Sequence, residues 1–204
     1  ARVGLGWNDG LVPEWVEVRN VALSLFGGLV TSEGARYERS RAVSTPSVVL
    51  QGLKVQEILN LEQQKGLEGT GELDGVLPMT VSRGEVTIQN GVIEARPPGG
   101  VIRYRPSPES AEALATSNSQ MNLVLQPLSN FHYNALAARV QYAGDGTLKL
   151  ETKLEGRNPD WQKGRPVHFN LNIEENIPAL IKTLGIVQGI QESIENRFDS
   201  RDSR

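Results

Sequence analysis

The chain has 204 residues, a formal net charge of −3 and a sequence pI of about 5.5. That acidic balance disfavours a nucleic-acid-binding protein, which usually carries a basic domain or stripe. The chain contains no cysteine, which excludes disulfide bonds and thiolate zinc sites, and no apolar run reaches the roughly 18 residues that a membrane-spanning helix needs.

The first third of the chain alternates apolar and polar residues, a pattern typical of strands with one buried face. Val16 and Val18 alternate with charged residues, the phase slips near Asn20, and apolar residues then recur at alternate positions over residues 21–25. Residues 53–65 instead carry apolar side chains at helical spacing and stop before Gly66. We predict strands on both sides of Asn20 and a helix over residues 53–65.

Residues 69–91, GTGELDGVLPMTVSRGEVTIQNG, contain five glycines and scattered acidic residues. The Walker pattern is absent, and a strand predicted at residues 76–81 follows where a Rossmann loop would need a helix. The acidic residues do not match the spacing of an EF-hand calcium loop. We interpret the glycines as turn residues, with hairpin turns at residues 82–84 and at Asn90-Gly91 and a strand at residues 85–89 between them.

Period-two alternation continues at residues 136–142, 147–154 and 167–173, which predicts three further strands. Asp145-Gly146 lies between the first two and is a strong signal for a hairpin turn. Together these patterns predict an antiparallel meander of about ten strands, near the upper end for an open sheet.

Three helices are predicted after the glycine-rich stretch. Ser107-Pro108-Glu109 resembles a helix start that runs to about residue 118. Residues 120–129 favour a second helix in spite of Pro127. Residues 177–198 place their apolar side chains on one stripe, which predicts an amphipathic C-terminal helix.

Residues with catalytic potential are few and are not grouped in the sequence. His168 lies on the polar side of a predicted strand, and His132 lies at a helix-to-strand junction. Glu174-Glu175 precede the last helix, where acidic residues complement the positive helix end. Neither an H-E-x-x-H nor a G-x-S-x-G motif occurs. We therefore expect no enzyme, no cofactor, no catalytic residue and no metal site.

The predicted sheet has a face rich in Leu, Ile and Val but few helices to cover it. An exposed apolar face usually marks a binding surface. The other interpretation is that the sheet curls on itself and the helices close an ordinary core, and the alternation alone is compatible with both.

An ordered set of short motifs resembles the C-terminal region of the YdbH family, which are AsmA-like periplasmic proteins of Gram-negative bacteria. The set comprises residues 69–91, GGVIRYRP at 99–106, LSNFHYNAL at 128–136, residues 144–159 against the pattern dG-x-L-x-L-x-x-x-L-x-G-x-N-P, LNIEENIPAL at 171–180, and Phe26-Gly27-Gly28. The similarity covers nearly the whole chain, and its specificity lies in the order of the motifs rather than in any one of them.

The resemblance implies a bridge-like lipid transfer protein in which a β-taco-like trough holds acyl chains between the inner and outer membranes. It further implies a periplasmic segment, a parent protein anchored in the inner membrane, and contact with other AsmA-like segments of the same chain. A small outer-membrane lipoprotein is expected to dock by strand addition. An older family label, dicarboxylate transport, leaves a small-anion binding module as an alternative, and Arg103 and Arg105 form no evident clamp for such an anion. A structural scaffold for envelope partners is the third possibility.

The expected fold is mainly β with a few helices: a long, twisted antiparallel sheet forming a trough, with a C-terminal amphipathic helix. Residues 1–198 are expected to form a single domain, the C-terminal segment of a longer protein, and residues 199–204 a disordered tail. Three alternative roles stay open for the last helix: it plugs the trough, packs on the sheet or touches the membrane. The candidate lipid-groove residues are Val86, Ile88, Val140, Leu148, Leu150, Leu154, Val167, Phe169 and Leu171.

Overall fold

A computed structural model describes residues 1–6, 14–38, 43–62, 65–82, 85–108 and 121–179. Within these residues twelve strands form one antiparallel sheet that curls into a trough, so the predicted fold class is confirmed. The helices are short: α1 (Val55–Leu59), followed by a 3-10 turn at Asn60–Glu62, and α2 (Met121–Leu128). The predicted domain end, the tail and most of the C-terminal helix lie outside the described residues.

The strands follow one another across the sheet with few interruptions. Their bounds are β1 (Arg2–Gly6), β2 (Trp15–Leu25), β3 (Gly28–Glu38), β4 (Val43–Ser44), β5 (Ser47–Lys54), β6 (Leu67–Gly69), β7 (Glu72–Ser82), β8 (Glu85–Ala95), β9 (Gly100–Tyr104), β10 (Phe131–Tyr142), β11 (Thr147–Arg157) and β12 (Pro166–Asn176). The main path runs β1-β2-β3-β5-β7-β8-β10-β11-β12. β4 pairs with β7, and β6 pairs with β9, which extends β10.

Several local predictions are confirmed. The phase slip in β2 coincides with Asn20, whose φ of 52° turns the backbone out of the strand conformation. Asp145-Gly146 lies in the hairpin between β10 and β11, where the Asp145 carboxylate accepts a hydrogen bond of 2.9 Å from the Thr147 N–H. That bond lowers the pKa of Asp145. Ser82 pairs with Glu85, so β7 and β8 form the predicted hairpin.

The prediction of a turn at Asn90-Gly91 is wrong, because both residues lie inside the continuous strand β8. A Cβ on Gly91 would approach Leu77 Cδ2 and Val140 Cβ to 2.8 Å. The glycine is therefore explained by crowding between neighbouring strands, not by turn conformation.

A further prediction needs correction. The helix expected over residues 53–65 starts only at Val55, because Leu53 and Lys54 continue β5 and pair with β7, and the α-helix ends at Leu59. Glu174-Glu175 precede the helical residues 177–179 as predicted, and they lie in β12, where Glu174 forms an ion pair of 3.2 Å with Lys149 across the sheet.

One end of the trough is filled by protein. Val55 of α1 packs with Leu50, Leu53 and Leu73 in one buried cluster. A second cluster centres on Phe131, which has no exposed surface and meets Phe169 edge to face at 5.2 Å. We call this the packed end. The opposite ends of the long strands, near Ser82 and Asn176, form the distal end.

Candidate functional site

The two faces of the curled sheet differ in how they expose apolar side chains. A cross-strand row on one face runs through eight strands: Leu23, Val30, Leu50, Gly75, Ile93, Ala138, Thr152 and Leu171. In its middle, Leu50 and Ala138 are buried and Ile93 is half-buried, whereas Leu23 is 56% and Leu171 is 41% exposed. We call this the inner face. It is an apolar channel that is tight at its floor and open along both rims.

The floor of the channel is built from small residues. Gly75 and Ala138 occupy the middle of the cross-strand row, and Gly91 lies beside Val140 in the next row. Added side-chain atoms at Gly75 or Gly91 would meet neighbours at 2.7–2.8 Å. Small residues at these positions let the strands curl until their inner side chains touch, which is how interiors reach close packing.

The outer face carries a parallel row with a different character. Thr31, Val49, Val76, Val92, Arg139, Glu151 and Asn172 follow one another across the sheet. Val76 and Val92 are 47% and 43% exposed, but the row turns charged at Arg139 and Glu151. The apolar surface on this face is therefore a short patch and not a continuous channel.

All nine residues predicted for the lipid groove lie on the inner face. The register places Leu148 and Ile88 on either side of Tyr142, Leu150 beside Val140, and Leu154 beside Phe169. The remaining three, Val86, Val167 and Leu171, follow the same alternation on their strands. The strand pairing thus brings together residues that are up to 85 positions apart, since the set runs from 86 to 171.

The nine residues divide by burial. Leu154, Val167 and Phe169 pack against Phe131 at the packed end. Ile88 and Val140 are buried in the channel floor, and Val86, Leu148 and Leu150 are half-buried. Leu171 is on the open rim, where Ile173 at 39% exposure continues the apolar surface toward the distal end. Ile173 and Leu23 belong to the same surface and were not among the predicted groove residues.

A buried asparagine fixes the packed end. Asn158 is 1% exposed, and its amide nitrogen lies within 3.1–3.2 Å of the Gln126 and Pro127 carbonyl oxygens and the Ser129 hydroxyl. Its side-chain oxygen accepts a hydrogen bond of 2.8 Å from the Asp160 N–H. The N-P pair of the sequence motif therefore ties the β11–β12 connection to the end of α2.

A tyrosine closes the same end from the other side. The Tyr133 hydroxyl donates a hydrogen bond of 2.7 Å to the Thr70 carbonyl oxygen, and burial raises the pKa of this phenol. Gly71, with a φ of 106°, lies against that hydroxyl and leaves no room for a side chain. The glycines of the GTG stretch thus serve packing around Tyr133 and α1.

Charged residues brace the bulge in β5 next to the packed end. Arg96 donates hydrogen bonds of 2.6 Å to Asp74 and to Glu72, and the other Asp74 oxygen accepts a 2.8 Å bond from the Gly52 N–H. The guanidinium of Arg96, followed by the Gly52 N–H, lowers the pKa of Asp74. Gly52 has a φ of 64° and sits at the register shift, so Asp74 stabilises an irregular strand.

The other residues considered for chemistry are placed as follows. His168 is exposed on the outer face as predicted, with Nδ1 at 3.7 Å from Glu155 Oε1. His132 is exposed at the start of β10. Arg103 is held by Asn130 at 3.1 Å, and Arg105 lies just beyond β9. In the part of the chain that the structure describes, no three His, Asp or Glu side chains are grouped to hold a metal ion.

Among the described residues, no helix combines the length and the hydropathy required to cross a membrane. No curated protein and no solved structure matches the chain. The model of one protein family, described as YdbH-like, intermembrane phospholipid transport protein YdbH, matches residues 6–199. Since the match spans nearly the whole sequence, the chain belongs to the YdbH-like family.

Proposed function

We propose that this chain is a terminal segment of a periplasmic conduit that carries phospholipid between the inner and outer membranes. The observation that carries the proposal is the inner face of the trough, where Leu23 on one rim and Leu171 and Ile173 on the other expose apolar side chains on either side of the channel floor. The family description, intermembrane phospholipid transport, supports the same function. Transfer of this kind needs no catalytic group.

The dimensions of the trough suit an acyl chain. Its long strands have eleven or twelve residues, which at about 3.3 Å per residue corresponds to roughly 36 Å. One leaflet of a bilayer contributes about 15 Å of the roughly 30 Å hydrocarbon core. An acyl chain therefore fits along the distal half of the trough without displacing the clusters at the packed end.

Non-specific apolar contact supplies enough free energy for this role. Each methylene group transferred from water to an apolar surface contributes about 0.8 kcal/mol. Partial burial of a few methylene groups along the rims favours binding by several kcal/mol while leaving the lipid free to slide. Lipid is expected to contact the rims and the distal end of the trough. It is not expected to contact Leu154, Val167 and Phe169, which pack against Phe131.

In this proposal the parent protein is anchored in the inner membrane, other AsmA-like segments continue the trough, and a small outer-membrane lipoprotein docks by strand addition. The free edge of β12 supports the docking mode. β12 has eleven residues in uninterrupted register with β11, lacks Lys and Arg, and pairs with no second strand among the described residues. Natural edge strands are usually protected by charge, proline, bulges or shortness. β12 is long and free of bulges, and its proline and its acidic pair lie at opposite ends, which leaves the middle of the edge unprotected.

Bound lipid gives the direct test of the transport function. We compare a double variant of the inner rim, Leu171→Glu/Ile173→Glu, with a control on the outer face, Val76→Glu/Val92→Glu, at similar exposures of 39–47%. Native mass spectrometry of the full chain purified from envelope membranes is expected to show phospholipid on the wild type and the control, and loss from the inner-rim variant. Equal lipid on both variants, or a lipid-free wild type, contradicts the proposal.

The docking mode is tested separately. Lysine on the edge strand, in Asn170→Lys/Asn172→Lys, is expected to abolish pull-down of the lipoprotein, because a charged edge resists further strand pairing. The matched control, Gln89→Lys/Gln141→Lys, adds the same charge to strands inside the sheet and should retain pull-down. Retention by both variants rules out docking on β12 and leaves the transport proposal standing.

A further inference from the structure

A second concave site lies on the outer face at the packed end, away from the trough. It is a cleft of about 580 Å³ bounded by β9, β10, β11 and β12. Both histidines of the chain, His132 and His168, line it together with Arg157 and Glu155. The lipid-transfer proposal makes no use of these side chains.

Strand register brings the three basic side chains together. His132 is directly opposite Arg157 on β11, and His168 is directly opposite Glu155 on the same strand. Residues opposite each other in an antiparallel pair have Cβ atoms about 4.5–5.5 Å apart, and diagonal neighbours are still within reach of long side chains. His132, Arg157 and His168 therefore form one group although they are spread over 37 positions, from 132 to 168.

The hydrogen-bond pattern leaves donors of this group available. The Asn130 amide is oriented by its bond of 2.7 Å to Asp160 Oδ2, so Asn130 Oδ1 is the acceptor that lies 3.2 Å from His132 Nε2. His132 Nε2 consequently carries a proton, and Nδ1 is left for a ligand. Within the described residues, the Arg157 side chain makes no ion pair or hydrogen bond, so its fork of N–H donors is unused.

We propose that this cleft binds a phosphate group, either as free phosphate or as the phosphodiester of a lipid headgroup. An unpaired guanidinium in a cleft recognises a compact oxyanion through charge-assisted hydrogen bonds, and the two imidazole rings lie beside it. Glu155 is the one carboxylate in the lining, where it lies beside Arg157 and the two histidines. This inference does not depend on the lipid-transfer function of the trough.

Toward the packed end of the strands around the cleft and in the β11–β12 connection, the charged groups outside the lining are Arg103, Lys153, Asp160, Lys163 and Arg165, and Glu155 is in the lining. Basic groups outnumber acidic ones among them, which favours an anion over a cation.

The test follows the two histidines by NMR while inorganic phosphate is titrated into the full chain. Only two histidine ring signals are present, and single His→Gln variants assign them. Phosphate is expected to shift both signals, and Arg157→Gln is expected to weaken binding about tenfold or more, as loss of a charge-assisted hydrogen bond does. The control is Arg139→Gln, which removes the same charge from an 81% exposed position elsewhere on the outer face and should change affinity less than about twofold.

Vesicles separate the two sources of phosphate. Sedimentation with phosphatidylglycerol vesicles that depends on Arg157, with no binding to uncharged detergent micelles, assigns the site to a lipid headgroup. Phosphate binding without vesicle binding assigns the site to free phosphate. The proposal is overturned when neither probe shifts the histidine signals, when Arg157→Gln and Arg139→Gln weaken binding equally, or when succinate binds and phosphate does not.

Discussion

Replacing Asn158 by alanine is predicted to destabilise the packed end more than any substitution of an exposed asparagine. The side chain is 1% exposed and links the Gln126 and Pro127 carbonyl oxygens, the Ser129 hydroxyl and the Asp160 N–H. Alanine removes all of these contacts and leaves carbonyl oxygens next to Pro127, which is itself fully buried, without their partner.

The magnitude follows from the contact geometry. The amide has two hydrogens for three acceptors at 3.1–3.2 Å, so at most two full donor bonds are lost, together with one acceptor bond of 2.8 Å. At about 1 kcal/mol for each net hydrogen bond, the expected loss is roughly 3 kcal/mol, and it is larger if no water reaches the orphaned carbonyls.

Urea denaturation monitored by circular dichroism gives the free energy of unfolding for both proteins. The control is Asn172→Ala, an exposed position on the outer face of β12, which should change stability by less than about 0.5 kcal/mol. If Asn158→Ala is as stable as Asn172→Ala, the hydrogen bonds of Asn158 do not stabilise the packed end.

Two further predictions concern the sheet itself. Asp74→Asn should destabilise the chain at neutral pH, because the Arg96 contact lowers the folded-state pKa of Asp74. The difference from wild type should begin to shrink as pH falls below the unfolded pKa of about 3.9 and should be lost as pH falls through the lower folded-state pKa. Urea titrations at several pH values measure this, and a pH-independent difference contradicts it. Gly91→Ala should lower the free energy of unfolding by about 1–3 kcal/mol, because the added methyl group overpacks against Val140. Gly144→Ala, in an exposed turn, is the control and should leave the melting temperature nearly unchanged. Equal melting temperatures for the two variants would disprove the crowding argument.

The strands were predictable because each carries its own period-two pattern. The alternation in β10, β11 and β12 is local, and even the irregularity at Asn20 appears in the sequence as a slipped phase. The face on which the nine groove residues lie follows from the same alternation. Their burial does not, because it depends on how tightly the sheet curls and on which end α1 and α2 fill.

Features set by distant contacts could not be predicted. Asn90-Gly91 has the composition of a hairpin turn, yet packing against Val140, about 50 residues later in the chain, places it in mid-strand. Asn158 was recognisable only as part of a motif, since its partners lie 29–32 residues earlier. The cleft around His132 and Arg157 likewise exists only through strand register.

Site-specific photocrosslinking in cells shows directly whether lipid occupies the inner face of the trough. A photoreactive residue is placed at Leu171 on the inner rim or at Val92 on the outer face, two apolar positions with almost equal exposure of 41% and 43%. Crosslinked phospholipid is expected at Leu171, and none is expected at Val92. Equal crosslinking at the two positions, or none at Leu171 while the protein is folded, would contradict it.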